Sequence, residues 1–165
     1  MTAPTQPPRE QQPTRAALRA GLNVQALGVE PQAAYVARAR SRRLVPHHRN
    51  WDWPGAADYL EHAGTVTVVK PQVLERRQFV QGDVLTGQLP QQRFDLVSSR
   101  NRLGYFRGGS LDTAWRNVAA RVRPGGLLLL DPFVTEAPQM AEVPRGLHEA
   151  GFVRLFPDAS YYRAL

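Results

Sequence analysis

The chain of 165 residues contains no cysteine, a single lysine and no long hydrophobic run. The absence of cysteine excludes disulfides and thiolate metal sites. The longest apolar run, Leu127 to Leu130, is far too short to cross a bilayer. The N-terminus is polar and rich in proline, and it contains no apolar segment of the kind that a secretory signal requires. A cytoplasmic location without membrane insertion is therefore predicted.

The net charge of +7 comes almost entirely from arginine, since Lys70 is the only lysine among 21 basic residues. A basic surface suits nucleic acid, an anionic cofactor or an acidic protein partner. The arginines are scattered along the chain and form no stripe with aromatic residues, which argues against nucleic-acid binding. His47, His48 and His148 lack the spacing of a metal site, so no metal is expected.

The order of elements predicts an α/β fold. The first 13 residues, MTAPTQPPREQQP, contain four prolines and three glutamines and are predicted to be a disordered tail. Beyond them, apolar strands alternate with helices, and the strands show little polar alternation, as expected of strands buried on both faces. This pattern predicts a doubly wound, mostly parallel sheet with an antiparallel C-terminal hairpin. The strands are predicted at 24–29, 65–69, 77–83, 94–99, 127–131, 152–156 and 161–165.

Helices are predicted between these strands. One runs from Leu111 to Val122 with Ser110 as its N-cap, because a hydroxyl at that position accepts a hydrogen bond from the first turn. Another begins at Pro144, a residue that suits a first helical turn. The segment AADYLEHAG, residues 56–64, is predicted to be a further short helix. Pro-Gly-Gly at 124–126 is predicted to be a tight turn onto the last buried strand.

Carboxylates follow two of the predicted strands, where open α/β sheets bind their ligands. Glu30 could accept hydrogen bonds from both hydroxyls of a ribose; the alternative is a solvated glutamate beside a helix start. Asp83 could accept from an adenine amino group, with Val84 or Leu85 packing on the ring. The alternative for Asp83 is a turn aspartate after Gly82.

The most specific segment is FDLVSSRNRLGYF, residues 94–106. A short buried strand is followed at once by Arg100 and Asn101, and then by Tyr105. These three side chains are predicted to emerge at the carboxyl end of the strand, beside a bound ligand. The alternative is an ordinary polar loop.

Taken together, these segments resemble the class I S-adenosylmethionine-dependent methyltransferases, and most closely the chemotaxis-receptor (CheR-type) glutamate methyltransferases. The resemblance rests on YLEHAGTVTVVKPQVLERRQFVQGDVL, on FDLVSSRNRLGYF with Ser99 where the family usually has cysteine, on the Pro-Gly-Gly strand and on the closing Tyr-Tyr-Arg. It covers about residues 17–165.

The resemblance implies a Rossmann-like fold, S-adenosylmethionine as cofactor and methyl transfer to a protein glutamate, such as one on a chemoreceptor. It implies that Glu30 binds the ribose and that Asp83 and Val84 lie near the adenine. Arg100 and Tyr105 would line the cofactor and substrate pocket as catalytic candidates, with Asn101 also at the cofactor. A glutamate carboxylate is already ionised at neutral pH, so no general base is required.

In the family, the first sheet strand and a glycine-rich cofactor loop lie before the segment that corresponds to residues 14–21. Residues 1–13 contain neither an apolar run nor a glycine. The expectation is an N-terminally truncated domain at 14–165, without that strand and loop, and with a variable insertion at about 44–76.

Two functions from different classes follow. The chain is either a methyltransferase, completed by self-association or by a partner, or a catalytically inactive Rossmann remnant that serves as a binding or scaffold module. A dehydrogenase with a nucleoside cofactor is a third hypothesis, because dehydrogenases and methyltransferases share Rossmann sheets. The Arg-Asn block and the closing hairpin argue against it.

Overall fold

The computed structural model describes residues 24–41, 43–44, 56–63, 66–99, 102–131, 140–156 and 160–165. The chain divides into two compact units, Met1–Gly82 and Asp83–Leu165. Both units combine strands with helices. None of the helices in the described ranges has the length and hydrophobicity needed to cross a membrane. The predicted tail, residues 1–13, lies outside these ranges.

The first unit contains a parallel pair of strands, β1 (Ala26–Glu30) and β5 (Arg77–Gln81). Gly28 lies opposite Phe79 in this pair. A Cβ atom at Gly28 would stand 2.5 Å from Cδ1 of Phe79, far inside normal contact distance. Only glycine therefore lets the Phe79 ring lie against the neighbouring strand. The pair confirms the parallel pairing that the apolar strands predict.

Helix α1 (Ala33–Arg40) follows β1 after a two-residue turn. Val36 is its buried residue, and Arg38 and Arg40 occupy its last turn, where the helix dipole favours positive charge. The guanidinium of Arg40 donates from Nε and Nη2 to the carbonyl oxygen of Phe79, at 2.9 and 2.7 Å. This side chain therefore fastens the end of α1 to the middle of β5.

The segment predicted as a helix at 56–64 is mostly a strand, so that prediction was wrong. A 3-10 turn at Ala56–Asp58 leads into β3 (Leu60–Ala63), which pairs antiparallel with β4 (Val66–Val69). Pairing with the β-branched β4 segment outweighs the helix propensity of Ala, Leu and Glu, because propensity is a weak local preference. Leu60 and Val69 are buried together.

A third strand completes this antiparallel sheet of the first unit. The strand β2 (Arg43–Leu44) pairs with β4 on the side away from β3, so the order is β2-β4-β3. The short helix α2 (Pro71–Leu74) then leads into β5, with Pro71 in its first turn, where the missing N–H costs nothing. The sheet falls within the segment predicted to be a variable insertion.

The second unit is built on a four-stranded sheet in the order β6-β7-β9-β8. The first pair, β6 (Phe94–Ser99) and β7 (Val122–Leu130), is parallel. The strand β9 (Tyr161–Ala164) runs antiparallel to both β7 and β8 (Phe152–Arg154). The predicted combination of parallel strands with an antiparallel C-terminal hairpin is confirmed.

The Pro-Gly-Gly segment interrupts the ladder between β6 and β7. Phe94 pairs with Val122 and Leu96 with Leu127, so residues 123–126 form an excursion from the regular pairing. Gly125 has a φ of +73°, which L side chains rarely adopt. The glycine turn therefore has the structural role that the sequence suggested, within one long strand.

Two helices and one face of the sheet enclose the core of this unit. Helix α3 (Gly108–Ala119) and helix α4 (Glu142–Glu149) bury the side chains of one face each. Residues Leu103, Leu111, Ala114, Trp115, Val118, Leu128, Leu130, Met140, Val143, Leu147, Phe152 and Tyr162 belong to one buried cluster. Because this cluster contains residues from both helices and from the sheet, hydrophobic burial is the main term that holds the unit together.

The predicted N-cap of α3 was wrong by three residues. Arg107 is the N-cap, and Ser110 lies at the third helical position, where its Oγ accepts from the Arg107 backbone N–H at 3.3 Å. The Ser110 hydroxyl also donates to the Arg107 carbonyl oxygen at 2.7 Å. Two glycines between them tolerate the turn, and Gly108 has a φ of +53°. Serine is thus still used at the helix start, one turn further in.

Close packing between α3 and α4 leads to a prediction at Gly146. Glycine to alanine inside a helix usually stabilises by about 1 kcal/mol. A Cβ atom at Gly146 would, however, stand 2.8 Å from Cη2 of the buried Trp115, and overpacking costs about 1–3 kcal/mol. Gly146→Ala is therefore expected to lower the midpoint of urea unfolding.

The matched control is Gly109→Ala in α3, since a Cβ atom at Gly109 would meet nothing within 4 Å. This variant is expected to be at least as stable as the parent chain. The same glycine-to-alanine substitution is then expected to change the stability in opposite directions in two helices of one unit. Equal stabilisation by both variants would contradict the packing of Trp115 against Gly146.

Candidate functional site

The carboxyl ends of β1 and β5 meet at one edge of the parallel pair in the first unit. Glu30 is the last residue of β1 and lies opposite Gln81, the last residue of β5. The Gly82 backbone N–H donates to the Glu30 carbonyl oxygen at 3.1 Å, and Nε2 of Gln81 donates to the Pro31 carbonyl oxygen at 3.0 Å. These bonds fix the backbone around Glu30 at the edge where such sheets bind ligands.

The Glu30 side chain is half-buried and turns toward the start of α1. Its Oε1 accepts from the Gln32 backbone N–H at 3.2 Å, and Gln32 is the N-cap of the helix. This hydrogen bond is the one expected of the alternative interpretation, in which Glu30 lies beside the start of a helix. It also orients the carboxylate at the carboxyl edge, which is what binding of a ribose diol requires. The strand end therefore lies where the sequence predicts it, and both interpretations of the side chain remain open.

Asp83 and Val84 open the second unit in a tight loop. The Asp83 backbone N–H donates to the Gln88 carbonyl oxygen at 3.2 Å. Its Oδ1 accepts from the Leu85 backbone N–H at 2.8 Å, so the carboxylate also stabilises a local turn. Gly87 has a φ of +71° within the same loop. The alternative interpretation, in which Asp83 is a turn residue after Gly82, therefore agrees with these hydrogen bonds.

Val84 is tied to the core of the second unit. Its side chain is partly buried against the main cluster, and its carbonyl oxygen accepts from Nδ2 of Asn117 at 2.7 Å. Leu85, by contrast, is exposed. Of the two apolar side chains that follow Asp83, Leu85 is therefore the one presented to an incoming ring.

Asn117 is a positioning residue that the sequence reasoning missed. It lies on α3 beside the buried Ala114 and Val118, and its amide reaches across 33 positions of sequence to the Asp83 loop. A polar amide at the edge of an apolar helix face was the available signal. This signal does not identify the hydrogen-bond partner, because the partner is a backbone carbonyl and every residue has one.

Tyr105 lies on a 3-10 turn, Leu103–Tyr105, after the carboxyl end of β6. Leu103 is fully buried and anchors the turn, whereas Tyr105 is 79% exposed. Nη1 of Arg107 donates to the carbonyl oxygens of Gly104 and Phe106, both at 2.6 Å, and fixes the following backbone. The phenol is therefore held on a rigid turn and offered to solvent.

Two predicted site residues, Arg100 and Asn101, lie outside the described residues, as do His47 and His48. Of the others, Asp83 and Val84 share one loop, and Tyr105 lies on a separate turn of the same unit. Within the described ranges, no three His, Asp or Glu side chains converge in a group that could hold a metal ion.

Comparison with solved structures finds proteins described as methyltransferases. The N-methyltransferase NodS from Bradyrhizobium japonicum WM9, in complex with S-adenosyl-l-homocysteine, is 19% identical over 96% of this chain and 88% of its own, with a TM-score of 0.45. A TehB-like SAM-dependent methyltransferase from Corynebacterium glutamicum is 13% identical over 94% of both chains, with a TM-score of 0.43. PigF with SAH is 20% identical over 73% of this chain, with a TM-score of 0.43.

The chain spans 28% of the length of PigF. No family model and no curated protein matches the sequence. With TM-scores of 0.45 or lower, these similarities assign neither a family nor an activity to this chain. The CheR-type resemblance therefore stays a prediction from the sequence.

Proposed function

We propose that this chain binds S-adenosylmethionine and is a methyltransferase whose acceptor is a protein glutamate carboxylate. The observation that carries the proposal is the position of Glu30, an oriented carboxylate at the carboxyl edge of a parallel strand pair. A carboxylate there can accept two hydrogen bonds from a ribose diol. The FDLVSSRNRLGYF segment supports the same cofactor through its resemblance to the CheR-type family.

The proposal assigns a second contact with the cofactor to Asp83. Asp83 follows the end of β5 by two residues, and the intervening Gly82 brings no side chain to that point. In the proposal, Asp83 accepts from the adenine amino group and the exposed Leu85 packs on the ring. Arg100 and Tyr105 orient the acceptor, and Asn101 contacts the cofactor.

Methyl transfer to a carboxylate requires little of the protein beyond positioning the two reactants. S-adenosylmethionine supplies an electrophilic methyl group on a positively charged sulfonium. The acceptor carboxylate is ionised at neutral pH, so no side chain of this chain has to remove a proton. Alignment of two bound reactants can contribute about 7–11 kcal/mol to catalysis. The net charge of +7 favours an acidic protein as the acceptor.

The test is calorimetric titration of the full chain with S-adenosylhomocysteine and with its inosine analogue, which has an oxo group in place of the adenine amino group. Micromolar binding of the first ligand is expected. The analogue is expected to bind at least about tenfold more weakly, because the Asp83 carboxylate would then face an acceptor. No heat from a chain that circular dichroism shows to be folded would overturn the proposal and favour the binding or scaffold module.

The acceptor is tested separately with a radiolabelled methyl donor and glutamate-rich peptides. Methyl esters of carboxylates are released by mild base, whereas N-methyl groups are not. Base-labile label on the peptide supports a glutamate acceptor. Base-stable label would retain the methyltransferase and overturn the acceptor.

A further inference from the structure

The strand β5 borders a depression on the first unit, and neither Glu30 nor Gln81 of the proposed cofactor edge lines it. It is open to solvent, has a volume of about 330 Å³, and is lined by the end of α1, by Leu74 of α2 and by residues 77–80. Small-molecule pockets begin at about this size. Residues 77–80 are four of the five residues of β5, whereas Gln81 and Glu30 at the carboxyl edge do not line the depression.

Arg77 is the central side chain of this depression. Its guanidinium carbon lies 5.8 Å from the centroid of the Phe79 ring. Its Nε is buried without a hydrogen-bond partner. Buried polar atoms are nearly always paired, so an unpaired one calls for an explanation. Burial also lowers the pKa of Arg77 from its ordinary value, which means that the folded chain disfavours this positive charge as it stands.

A second guanidinium stands at the same depression. Arg40 lines it, and the two bonds to the Phe79 carbonyl oxygen hold its guanidinium in place. Those bonds use Nε and Nη2, and Nη1 carries two further N–H groups. Two arginines therefore line one space, and none of its lining residues in the described ranges is acidic.

The remaining lining is largely apolar. Leu74, Ala39, Val80 and Phe79 line it beside the two arginines, together with the polar Gln78. We propose that this depression, defined by Arg40, Arg77, Phe79 and Leu74, binds a small organic anion. Its phosphate or carboxylate group is bound by the two guanidinium groups, and its apolar body lies on Phe79 and Leu74. A bound anion offsets the cost of partly burying the Arg77 charge.

The test uses four probes at constant ionic strength: phenyl phosphate, phenylacetate, inorganic phosphate and benzyl alcohol. Binding is followed by heteronuclear NMR through the amides of residues 77–80 and the arginine Nε–H signals. Phenyl phosphate or phenylacetate is expected to bind and to shift the Arg77 Nε–H signal. The tighter of the two identifies the head group. Inorganic phosphate and benzyl alcohol, which each lack one half of the ligand, are expected to bind at least about tenfold more weakly.

The decisive variant is Arg77→Met, with Arg38→Met on the exposed side of α1 as its matched control. Arg77→Met is expected to weaken anion binding at least about tenfold, and Arg38→Met less than twofold. Because partial burial disfavours the Arg77 charge, its removal is expected to leave the thermal midpoint at or above that of the parent chain. Should Arg77→Met not fold, Arg77→Lys retains the charge without the planar fork and is expected to weaken binding in the same direction.

Equal losses in the Arg77 and Arg38 variants would overturn the proposal, because the binding would then reflect net charge alone. Benzyl alcohol binding as tightly as phenyl phosphate would overturn it as well. The site is independent of the proposed cofactor edge, so saturating S-adenosylhomocysteine is expected to leave the phenyl phosphate titration unchanged. The two titrations use different ligands, so the failure of one proposal does not affect the test of the other.

Discussion

Trp115→Ala is expected to destabilise the chain by about 3–5 kcal/mol, the usual cost of truncating a buried aromatic residue to alanine. Trp115 is 3% exposed and belongs to the main buried cluster. On one side its indole packs against Gly146 of α4, which has no side chain to fill the space that alanine would leave. On the other side the guanidinium carbon of Arg116 lies 4.5 Å from the ring centroid.

Arg116 is not expected to fill the cavity, because its Nε is bound to Asp112 one turn earlier at 2.9 Å. The measurement is ellipticity at 222 nm during urea unfolding of the full chain, since tryptophan fluorescence would itself change. Tyr105→Ala is the matched control, because it truncates an aromatic residue of the same unit that is 79% exposed. That variant is expected to stay within about 0.5 kcal/mol of the parent chain. Similar losses in both variants would contradict the assigned core.

Glu30→Gln is expected to weaken binding of S-adenosylhomocysteine at least about tenfold, and by up to about a hundredfold. Glutamine has nearly the same size, and its amide oxygen can still accept from the Gln32 backbone N–H. The local fold should therefore persist. What is lost is the charge of the acceptor, and hydrogen bonds to charged groups contribute about 1.5–3 kcal/mol. Titration calorimetry of the variant measures the effect directly.

Glu75→Gln controls for the change in net charge. Glu75 is exposed, lies at the end of α2 and belongs to the same unit as Glu30. It is expected to leave the affinity for S-adenosylhomocysteine within twofold of the parent chain. A Glu30→Gln variant that binds like the Glu75→Gln variant would show that Glu30 only caps the start of α1.

The predictions succeeded where one short segment carried its own signal. The strand Phe94–Ser99 was predicted residue for residue, because turn-forming polar residues bound a short apolar run on both sides. The C-terminal hairpin was predicted for the same reason. The helix predicted at 56–64 failed, because its strand forms only by pairing with Val66–Val69. Local propensity contains no information about that partner.

The candidate site also combines features that could be predicted from a short segment with features that could not. Glu30 could be placed by rule, since the residues that end parallel strands lie at the carboxyl edge, whereas Asp83 follows the end of β5 by two residues. Their hydrogen bonds to Gln32 and Leu85 could not be read in advance, because backbone donors are the same at every position. Asn117 was missed because its partner is 33 positions away, and Arg77 because its partial burial follows only from tertiary packing.

By itself, the sequence determined the α/β class, the C-terminal hairpin and the strand ends that carry carboxylates. It did so because hydrophobic periodicity and turn residues act over a few neighbouring positions. Only the tertiary structure decided that Asn117 holds the loop after Asp83, that Trp115 packs on a glycine, and that a partly buried arginine lines an open depression. Each of these depends on burial and on contacts between residues far apart in the chain, and a single position in the sequence does not specify such contacts.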